Sequence, residues 1–322
     1  MSILLTAVGP NIFLREQHTA SFVFIGMKKW LKRIGLLIVS LIVLFAAALA
    51  YGFFIEPKRL VLMKETVTVP NFSPALNGFK IVAISDIHGG SNGVTEARLR
   101  ELVEKANQQD PDLIVLLGDY VSETHYDRSA LKKPEGTDRT ELRMPVSIIA
   151  DNLAGFKARY GVYAVIGNHD WWHNQTRVRK EFERVGITIL ENDVKQIKVG
   201  DETINLWGIE DYWKSRRVPL TDAYDKIAVK KNIIAITHNP DSLLKAPAEI
   251  SLMLAGHSHG GQVNFPIYGP HPFVNDIRFM KGKTVVDGKH IFVTSGVGCS
   301  GPQIRFRVPP EIAVVTVNAA AE

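Results

Sequence analysis

Short apolar runs, each followed by a histidine, an aspartate or an asparagine, restrict the fold of this chain more than any other feature. Apolar runs of this length predict buried strands, and they cover Lys80–Ser85, Leu113–Leu117, Val162–Ile166, Ile233–Thr237 and Leu252–Ala255. Helical periodicity separates several of them, and it covers Thr95–Gln109, Val146–Phe156 and Thr176–Val185. Strands that alternate with helices predict a layered α/β domain.

The later part of the chain carries strand patterns without long helices between them. These patterns cover Thr203–Trp207, Ile291–Thr294 and Ile312–Val317. Strands joined by short connections pair antiparallel, so we expect a mixed sheet arrangement. Two long irregular stretches, Ser122–Pro145 and Asn264–Lys283, interrupt the pattern. Long loops inside a compact domain are usually functional or disordered.

The N-terminal part contains an apolar stretch, Ile34–Ile55, with no charged residue over 22 positions. This length is enough to cross a hydrocarbon core of about 30 Å. We therefore divide the chain into an extension at 1–26 that need not be translated, a membrane anchor or signal segment at 27–56, and one domain at 57–322. A cleaved signal peptide is the alternative, with Met27 as the start and a small-residue site at Ala48–Ala50.

Charge and cysteine content narrow the setting of the protein. Four basic residues precede the apolar stretch and two follow it, and they are Lys28, Lys29, Lys32, Arg33, Lys58 and Arg59. This asymmetry favours the upstream side as cytoplasmic and leaves the rest of the chain outside. The net charge of +5 is mild and not clustered, so we expect no nucleic-acid partner. Cys299 is the single cysteine, which excludes an internal disulfide.

Polar residues at the ends of the predicted strands have the chemistry of metal ligands. They are Asp86, His88, Asp119, Asn168, His238, His257 and His259. If the strand pleat continues, Asp86 and His88 project to the same side, as do His257 and His259. Neighbouring glycines leave space for a compact site, at positions 89, 90, 118, 167, 256, 260 and 261. Oxygen and imidazole ligands without thiolate suit Mn, Fe or Zn. Seven ligands exceed the needs of one ion, so we expect two ions that share a carboxylate.

Taken in order, the motifs D-x-H, G-D, G-N-H-D, H and G-H-x-H resemble those of the calcineurin-like metallophosphoesterase superfamily. The resemblance implies a two-sheet mixed β-sandwich flanked by helices, and a metal-dependent phosphoesterase. It implies a first metal held by Asp86, His88, Asp119 and His259, and a second held by Asp119, Asn168, His238 and His257. His169 matches the family's non-ligand histidine, which protonates the leaving oxygen. Asp170 is a candidate to orient that imidazole, or a helix-start carboxylate.

The G-H-S-H-G-G-Q form and residues 296–312 resemble the membrane-associated bacterial branch of this superfamily. Some members of that branch are linked to UDP-2,3-diacylglucosamine pyrophosphate hydrolysis in lipid A synthesis. The resemblance implies hydrolysis of a phosphodiester or pyrophosphate bond in a membrane-associated or lipid-linked substrate. The alternatives are a soluble nucleotide phosphodiesterase or phosphomonoesterase, and a non-catalytic scaffold. We expect a single-pass protein of the bacterial inner membrane with an extracytoplasmic domain; the alternatives are export after signal cleavage and a cytoplasmic orientation.

Aromatic and basic residues near the predicted site are candidates for contacts with substrate. Aromatic rings can stack on a base or an acyl chain, and arginines can bind a second phosphate; the candidates are Trp171, Trp172, Trp213 and Arg216. The alternative is that the tryptophans pack in the core and the arginine is solvated. The Asn264–Lys283 loop could form an apolar lip for a lipid, or it could be a packed loop.

Overall fold

The structure is a computed structural model that describes residues 11–125, 129, 132–211, 221–266, 269–270 and 274–321. It divides into two compact units, Met1–Ala50 and Tyr51–Glu322. Helix α1 (Asn11–Phe54) accounts for the described part of the first unit, and its last turn belongs to the second. By length and composition alone, the stretch Lys29–Lys58 could cross a membrane, and an 18-residue window within it has a mean hydropathy of 2.7.

The second unit contains two six-stranded sheets and four further helices in its described residues. The helices are α2 (Glu96–Asn107), α3 (Val146–Leu153), α4 (Asn168–Arg184) and α5 (Thr221–Tyr224). The strands are β1 (Val61–Val69), β2 (Phe79–Ile84), β3 (Leu113–Leu116), β4 (Val162–Ala164), β5 (Thr188–Ile189), β6 (Asp193–Val199), β7 (Glu202–Gly208), β8 (Ile233–Ile236), β9 (Leu252–Ala255), β10 (Asn264–Phe265), β11 (Gly269–Pro270), β12 (Gly282–Val286), β13 (Lys289–Val293) and β14 (Glu311–Ala319).

The first sheet has the strand order β1-β14-β2-β3-β4-β5. Strands β2 to β5 are parallel, β14 pairs antiparallel with β2, and β1 pairs parallel with β14. The second sheet has the order β12-β13-β9-β8-β7-β6, in which β13, β9, β8 and β7 are parallel and the two edge strands are antiparallel. Both sheets are therefore mixed, which confirms the predicted arrangement.

The core lies on both faces of the first sheet, because its central strands alternate apolar side chains. In β2, Ile81 and Ala83 pack between the two sheets, whereas Val82 and Ile84 pack under helices α2, α3 and α4. Strands buried on both faces are near-continuous apolar runs, as β2 is from Ile81 to Ile84. The outer face of the second sheet is covered by α5 and loops, through residues that include Leu243 and Phe279. The result is a two-sheet sandwich with helices outside it, as predicted.

Two elements differ from the sequence-based expectation. Near the start of the domain, the sequence patterns Leu60–Leu62 and Val67–Val69 predict two separate short strands, but β1 is one continuous strand that pairs with β14 over nine positions. Helix α4 begins at Asn168 rather than at Thr176, and its backbone is non-helical at Asn174. The first turns of α4 have no amphipathic periodicity, because their side chains serve the site described below.

Candidate metal centre

The predicted ligands come from five loops that follow parallel strands at one edge of the two sheets. The loops after β2, β3 and β4 belong to the first sheet, and the loops after β8 and β9 belong to the second. Open α/β sheets place their sites at the carboxyl ends of parallel strands. Six of the seven predicted ligands are buried, and His257 is partly exposed. The structure therefore brings all seven side chains to one place between the sheets.

The expectation that the strand pleat continues through the ligand pairs is wrong. Strands β2 and β9 end at Ile84 and Ala255. The five ligands with a left-handed backbone are Asp86 (φ 50°), His88 (φ 44°), Asp119 (φ 56°), His257 (φ 69°) and His259 (φ 51°). Non-glycine residues adopt this conformation at a cost of about 1–3 kcal/mol each, and such residues concentrate at functional sites. Tight turns, rather than alternation along a strand, thus aim these side chains inward.

Backbone hydrogen bonds between the loops hold these turns in place. Asp86 N–H donates to Gly118 O at 2.9 Å, and His88 N–H donates to Asp119 O at 3.0 Å. Glycine is required where the loops touch: a Cβ on Gly256 would lie 2.7 Å from Asp86 Oδ2, and a Cβ on Gly118 would lie 2.9 Å from His238 Nδ1. Gly118 and Gly256 therefore leave room for the ligands, whereas a Cβ on Gly89 or Gly90 would meet Ile149 or Arg143 instead.

A first group of ligand atoms comes from Asp86, His88 and His259, which lie within 4.8 Å of one another. The Nε2 atoms of His88 and His259 are 3.3 Å apart, and Asp86 Oδ1 lies 3.3 Å from His259 Nε2. Asp86 Oδ1 is buried and accepts no hydrogen bond from the described residues. A buried carboxylate oxygen without a donor, beside two ring nitrogens, fits a cation at this position.

A second group comes from Asp119, His238 and His257, again within 4.8 Å of one another. His238 Nε2 lies 3.0 Å from His257 Nδ1 and 3.1 Å from Asn168 Oδ1. Asp119 Oδ2 lies 3.1 Å from His238 Nε2 and 3.7 Å from His88 Nε2. One carboxylate therefore reaches both groups, as the predicted bridging role of Asp119 requires.

The outer nitrogens of two histidines fix which ring nitrogen faces the centre. His88 Nδ1 lies 2.9 Å from Val121 O, and His238 Nδ1 lies 2.8 Å from Leu117 O. A carbonyl oxygen can only accept, so Nδ1 carries a proton in both rings and Nε2 points inward. This arrangement is typical of metal-binding histidines, whose second nitrogen donates to a carbonyl or carboxylate.

The electrostatics of the centre are unequal between the two groups. Burial lowers the pKa of His88 to about 4 and the pKa of His259 well below its usual range, so both rings are neutral at pH 7. Burial also raises the pKa of Asp86 to about 6, an effect to which the Asp119 charge adds. For His238, burial would lower the pKa, but Asp119 outweighs it and raises the pKa to about 10.

His169 lies beside the first group and is held by three contacts. Its backbone N–H donates to Asp119 Oδ1 at 2.8 Å, its Nδ1 lies 2.7 Å from Glu123 Oε2, and its Nε2 lies 3.3 Å from Ser300 Oγ. Burial would lower the pKa of His169, but the charges of Asp119 and Glu123 raise it to about 9. The ring is therefore protonated at pH 7, as a proton donor must be.

Asp170 does not orient the His169 imidazole, which corrects that part of the prediction. Its carboxylate accepts backbone N–H groups from Gly167, Asp119, Tyr120 and Val121 at 2.8–3.2 Å. These donors bind both carboxylate oxygens of Asp170. A carboxylate that orients His169 would have to accept from its Nδ1, and Glu123 already does so. Asp170 instead starts helix α4 and ties it to the loop after β3. The helix-start alternative is the one that the geometry shows.

Of the four residues predicted to contact substrate, two lie in the described part of the chain. Trp172 lies against His169, and the ring centroids of the two residues are 4.7 Å apart. Trp171 packs against the core under the helices, and the Arg139 guanidinium lies 5.5 Å from its ring centroid. Core packing therefore describes Trp171. Trp213 and Arg216 lie outside the described residues.

Sequence reasoning missed Glu123, Ser300 and two glycines of the loop after β13. A Cβ on Gly296 would lie 2.6 Å from Asp86 Cβ, and a Cβ on Gly298 would lie 2.7 Å from His88 Cβ. The glycine spacing in residues 296–301 was the available signal, because such spacing marks a close backbone approach. No sequence pattern predicted a role for Glu123, since its loop is only a polar stretch without a motif.

Fold and site together define a metal-dependent hydrolase of phosphate esters. Residues 79–261 match the family model described as calcineurin-like phosphoesterase. The chain belongs to this family, whose members use divalent metals, and it is a phosphoester hydrolase.

Relatives with curated names agree with this assignment. The uncharacterized metallophosphoesterase YkuE of Bacillus subtilis is 27% identical over 84% of this chain and 89% of its own length. Phosphodiesterase YaeI of Escherichia coli is 27% identical over 84% of this chain and 93% of its own length. A zebrafish (Danio rerio) protein named transmembrane protein with metallophosphoesterase domain is 26% identical over 87% of this chain, which spans 62% of that relative. These names do not mention UDP-2,3-diacylglucosamine, so that detail stays a prediction.

Among solved structures, phosphopantetheinyl hydrolase PptH of Mycobacterium tuberculosis is similar to this chain with a TM-score of 0.36 and 13% identity. The match covers 72% of this chain and 97% of that protein.

Proposed function

We propose that the chain is a phosphodiesterase that uses two divalent ions, with Mn, Fe and Zn as the candidates. In this proposal, Asp86, His88, Asp119 and His259 hold one ion, and Asp119, Asn168, His238 and His257 hold the other. One observation carries it: Asp119 Oδ2 lies within 3.7 Å of the inward Nε2 atoms of both His88 and His238. A shared carboxylate between two imidazole groups is the arrangement that two adjacent ions require.

The residues around the centre divide the remaining work of hydrolysis. Bound divalent ions would supply positive charge to a phosphoryl oxygen and lower the pKa of a bound water. His169 delivers a proton from Nε2 to the leaving oxygen, because Glu123 holds its Nδ1 at 2.7 Å and fixes the ring. Asp119 Oδ1 accepts the backbone N–H of His169 and so also holds this residue. The described contacts assign no covalent nucleophile, and none is needed when water attacks phosphorus.

The test uses the full chain, purified in detergent and depleted of metal. We expect hydrolysis of bis-p-nitrophenyl phosphate after addition of Mn²⁺, and its loss in an Asn168→Ala variant. A matched control is Asn152→Ala, which changes the same residue type on helix α3, away from the ligands. Equal activity of wild type and Asn168→Ala, or activity that survives complete metal removal, would reject the proposal.

We further propose that the substrate lies at a membrane surface. The candidate membrane span Lys29–Lys58, which contains the apolar stretch, supports an anchor, and the zebrafish relative is named a transmembrane protein. The last turn of α1, from Tyr51, packs on loops of the site: Arg305 N–H donates to Gly52 O at 2.9 Å, and Asn92 Nδ2 donates to Phe53 O at 2.7 Å. Asn92 lies four residues after His88, so residues 52 and 53 contact loops that carry or adjoin the proposed ligands.

A comparison of substrates separates this proposal from action on soluble nucleotides. We expect the full chain in lipid vesicles to hydrolyse a phosphodiester headgroup of the vesicle lipids faster than a soluble dinucleotide. A preference for the dinucleotide would favour the soluble-substrate alternative. The lipid A precursor is one candidate only if the domain faces the cytoplasm.

The orientation is part of the proposal, because it decides which lipids the site can reach. The excess of basic residues before the apolar stretch supports a bacterial inner-membrane protein with an extracytoplasmic domain. A topology reporter at the C-terminus should be active outside the cytoplasm, and sequencing of the mature N-terminus distinguishes an anchor from a cleaved signal. A cytoplasmic reporter would contradict this orientation.

A further inference from the structure

The loop between β13 and β14 forms a wall of the centre beside His169. Its residues 296–300 pass directly over two ligands, because Gly298 N–H donates to Asp86 O at 2.6 Å and Gly296 approaches the Asp86 side chain. Arg305, which is fully buried, braces the loop by donating to Ser295 O at 2.8 Å and to Gly298 O at 2.6 Å. The wall is thus a fixed part of the site.

Gln262, at the end of the G-H-S-H-G-G-Q motif, holds Ser300 in this wall. Its Oε1 accepts Ser300 N–H at 2.9 Å, and its Nε2 donates to Ser300 O at 3.0 Å and to Pro302 O at 2.7 Å. The Gln262 side chain is buried and its backbone is left-handed, with φ 50°. Both backbone groups of Ser300 are therefore bound by one amide, and the loop does not need the serine hydroxyl for its own conformation.

The Ser300 hydroxyl instead faces the proton donor. Ser300 Oγ lies 3.3 Å from His169 Nε2, and among the described residues it has no other hydrogen bond. Glu123 holds the opposite ring nitrogen, so the Nε2–H direction is fixed toward the hydroxyl. Whatever oxygen receives the proton from His169 must lie beside Ser300 Oγ.

We infer that Ser300 contacts the leaving oxygen of the substrate together with His169, an inference that rests on the proposed phosphodiesterase function. A water oxygen forms the new bond to phosphorus and gives up one proton to solvent, while the P–O bond to the leaving group breaks. The electron pair of that bond stays on the leaving oxygen, which takes the proton from His169 Nε2. Ser300 donates a hydrogen bond to the same oxygen and keeps its own proton. Gln262 is the positioning residue that keeps the hydroxyl in place.

The dependence on the leaving group tests this inference. Bis-p-nitrophenyl phosphate releases a phenolate whose negative charge spreads into the nitro group. Diphenyl phosphate releases a phenolate without that group, so its leaving oxygen depends more on a proton and a hydrogen bond from the protein. We expect Ser300→Ala in the full chain to lower kcat/KM for diphenyl phosphate about tenfold more than for bis-p-nitrophenyl phosphate, as loss of one hydrogen bond to a developing charge predicts. Ser300→Thr, which keeps a hydroxyl, should restore the wild-type ratio.

Ser91→Ala is the matched control, because Ser91 Oγ accepts Cys299 N–H at 3.1 Å and so supports the same loop without contacting His169. It should leave the ratio of the two substrates unchanged. An equal loss for both substrates in Ser300→Ala would overturn the role of the hydroxyl while leaving the phosphodiesterase assignment intact. A wild-type protein inactive on both substrates would refute that assignment, and the inference with it.

Discussion

Metal binding should release a proton from His238, and the size of this effect follows from its surroundings. His238 Nε2 lies 3.1 Å from the Asp119 carboxylate. Burial opposes protonation, but the Asp119 charge outweighs it and raises the pKa of His238 to about 10. A protonated imidazole cannot be a ligand, so an ion that binds through His238 must displace this proton.

The magnitude depends on pH. At pH 7, three pH units below a pKa of about 10, displacement of the proton costs about 4 kcal/mol, or about a thousandfold in affinity. The affinity for Mn²⁺ should therefore rise about tenfold for each pH unit from 7 toward 9. His88, whose pKa burial lowers to about 4, contributes no proton in this range. In the metal-free protein, the His238–Asp119 pair stabilises the fold fully below the unfolded pKa of about 6.5, and this stabilisation is lost as the pH rises through about 10.

Calorimetric titration of the metal-depleted full chain with Mn²⁺ measures the effect directly. In two buffers of different ionisation enthalpy, the difference in heat gives the number of protons released. His169 is also protonated at pH 7, so a His238→Asn variant isolates the contribution of His238. We expect the variant to release about one proton less than the wild type. Equal proton release by the two proteins would refute the reasoning.

Three further predictions concern single residues around the centre. Glu123→Gln should lower kcat about 10- to 100-fold without changing metal content; because the carboxylate raises the pKa of His169, the alkaline limb of the pH–rate profile should move to lower pH, and an unmoved limb would contradict this. Gly256→Ala should reduce bound metal per chain measured by elemental analysis, since the new Cβ would overlap Ser85 Oγ, lie 2.7 Å from Asp86 Oδ2 and push both residues away; full metal content would argue against that crowding. Asp170→Asn should lower the free energy of unfolding by about 2–3 kcal/mol in denaturant titration, because an amide nitrogen would face backbone N–H groups; a loss under about 0.5 kcal/mol would deny Asp170 its structural role.

The strands and the metal ligands could be predicted because their signals are local. A buried strand such as Leu252–Ala255 must be apolar at each position, and the residues after it must be polar to form a site at the sheet edge. The same reasoning predicted Asp119 as a ligand, and its carboxylate reaches both groups of ligand atoms. Local signals could not predict the backbone of the loops. The left-handed backbone conformation of the histidines and aspartates follows from contacts between loops and not from residue propensity.

Residues that act through distant contacts were beyond the sequence. Glu123 and His169 are 46 positions apart, and Ser300 and His169 are 131 apart, so no spacing rule connects them. Asp170 was open between two roles in the sequence, and only the four backbone donors around its carboxylate decide between them. The prediction of two short strands in place of β1 was wrong for the same reason, because the continuity of β1 depends on pairing with β14 at the other end of the domain.

The division of the ligands between the two sheets links metal binding to the packing of the sandwich. Asp86, Asp119 and Asn168 follow strands of the first sheet, whereas His238 and His257 follow strands of the second. Burial raises the pKa of Asp86 to about 6, and the Asp119 charge adds to this effect, so covering the two carboxylates costs free energy that positive charge beside them offsets. The protonated His238 supplies one such charge in the metal-free protein. Divalent ions would replace that proton with greater charge, and their binding free energy would then add to the contact between the sheets.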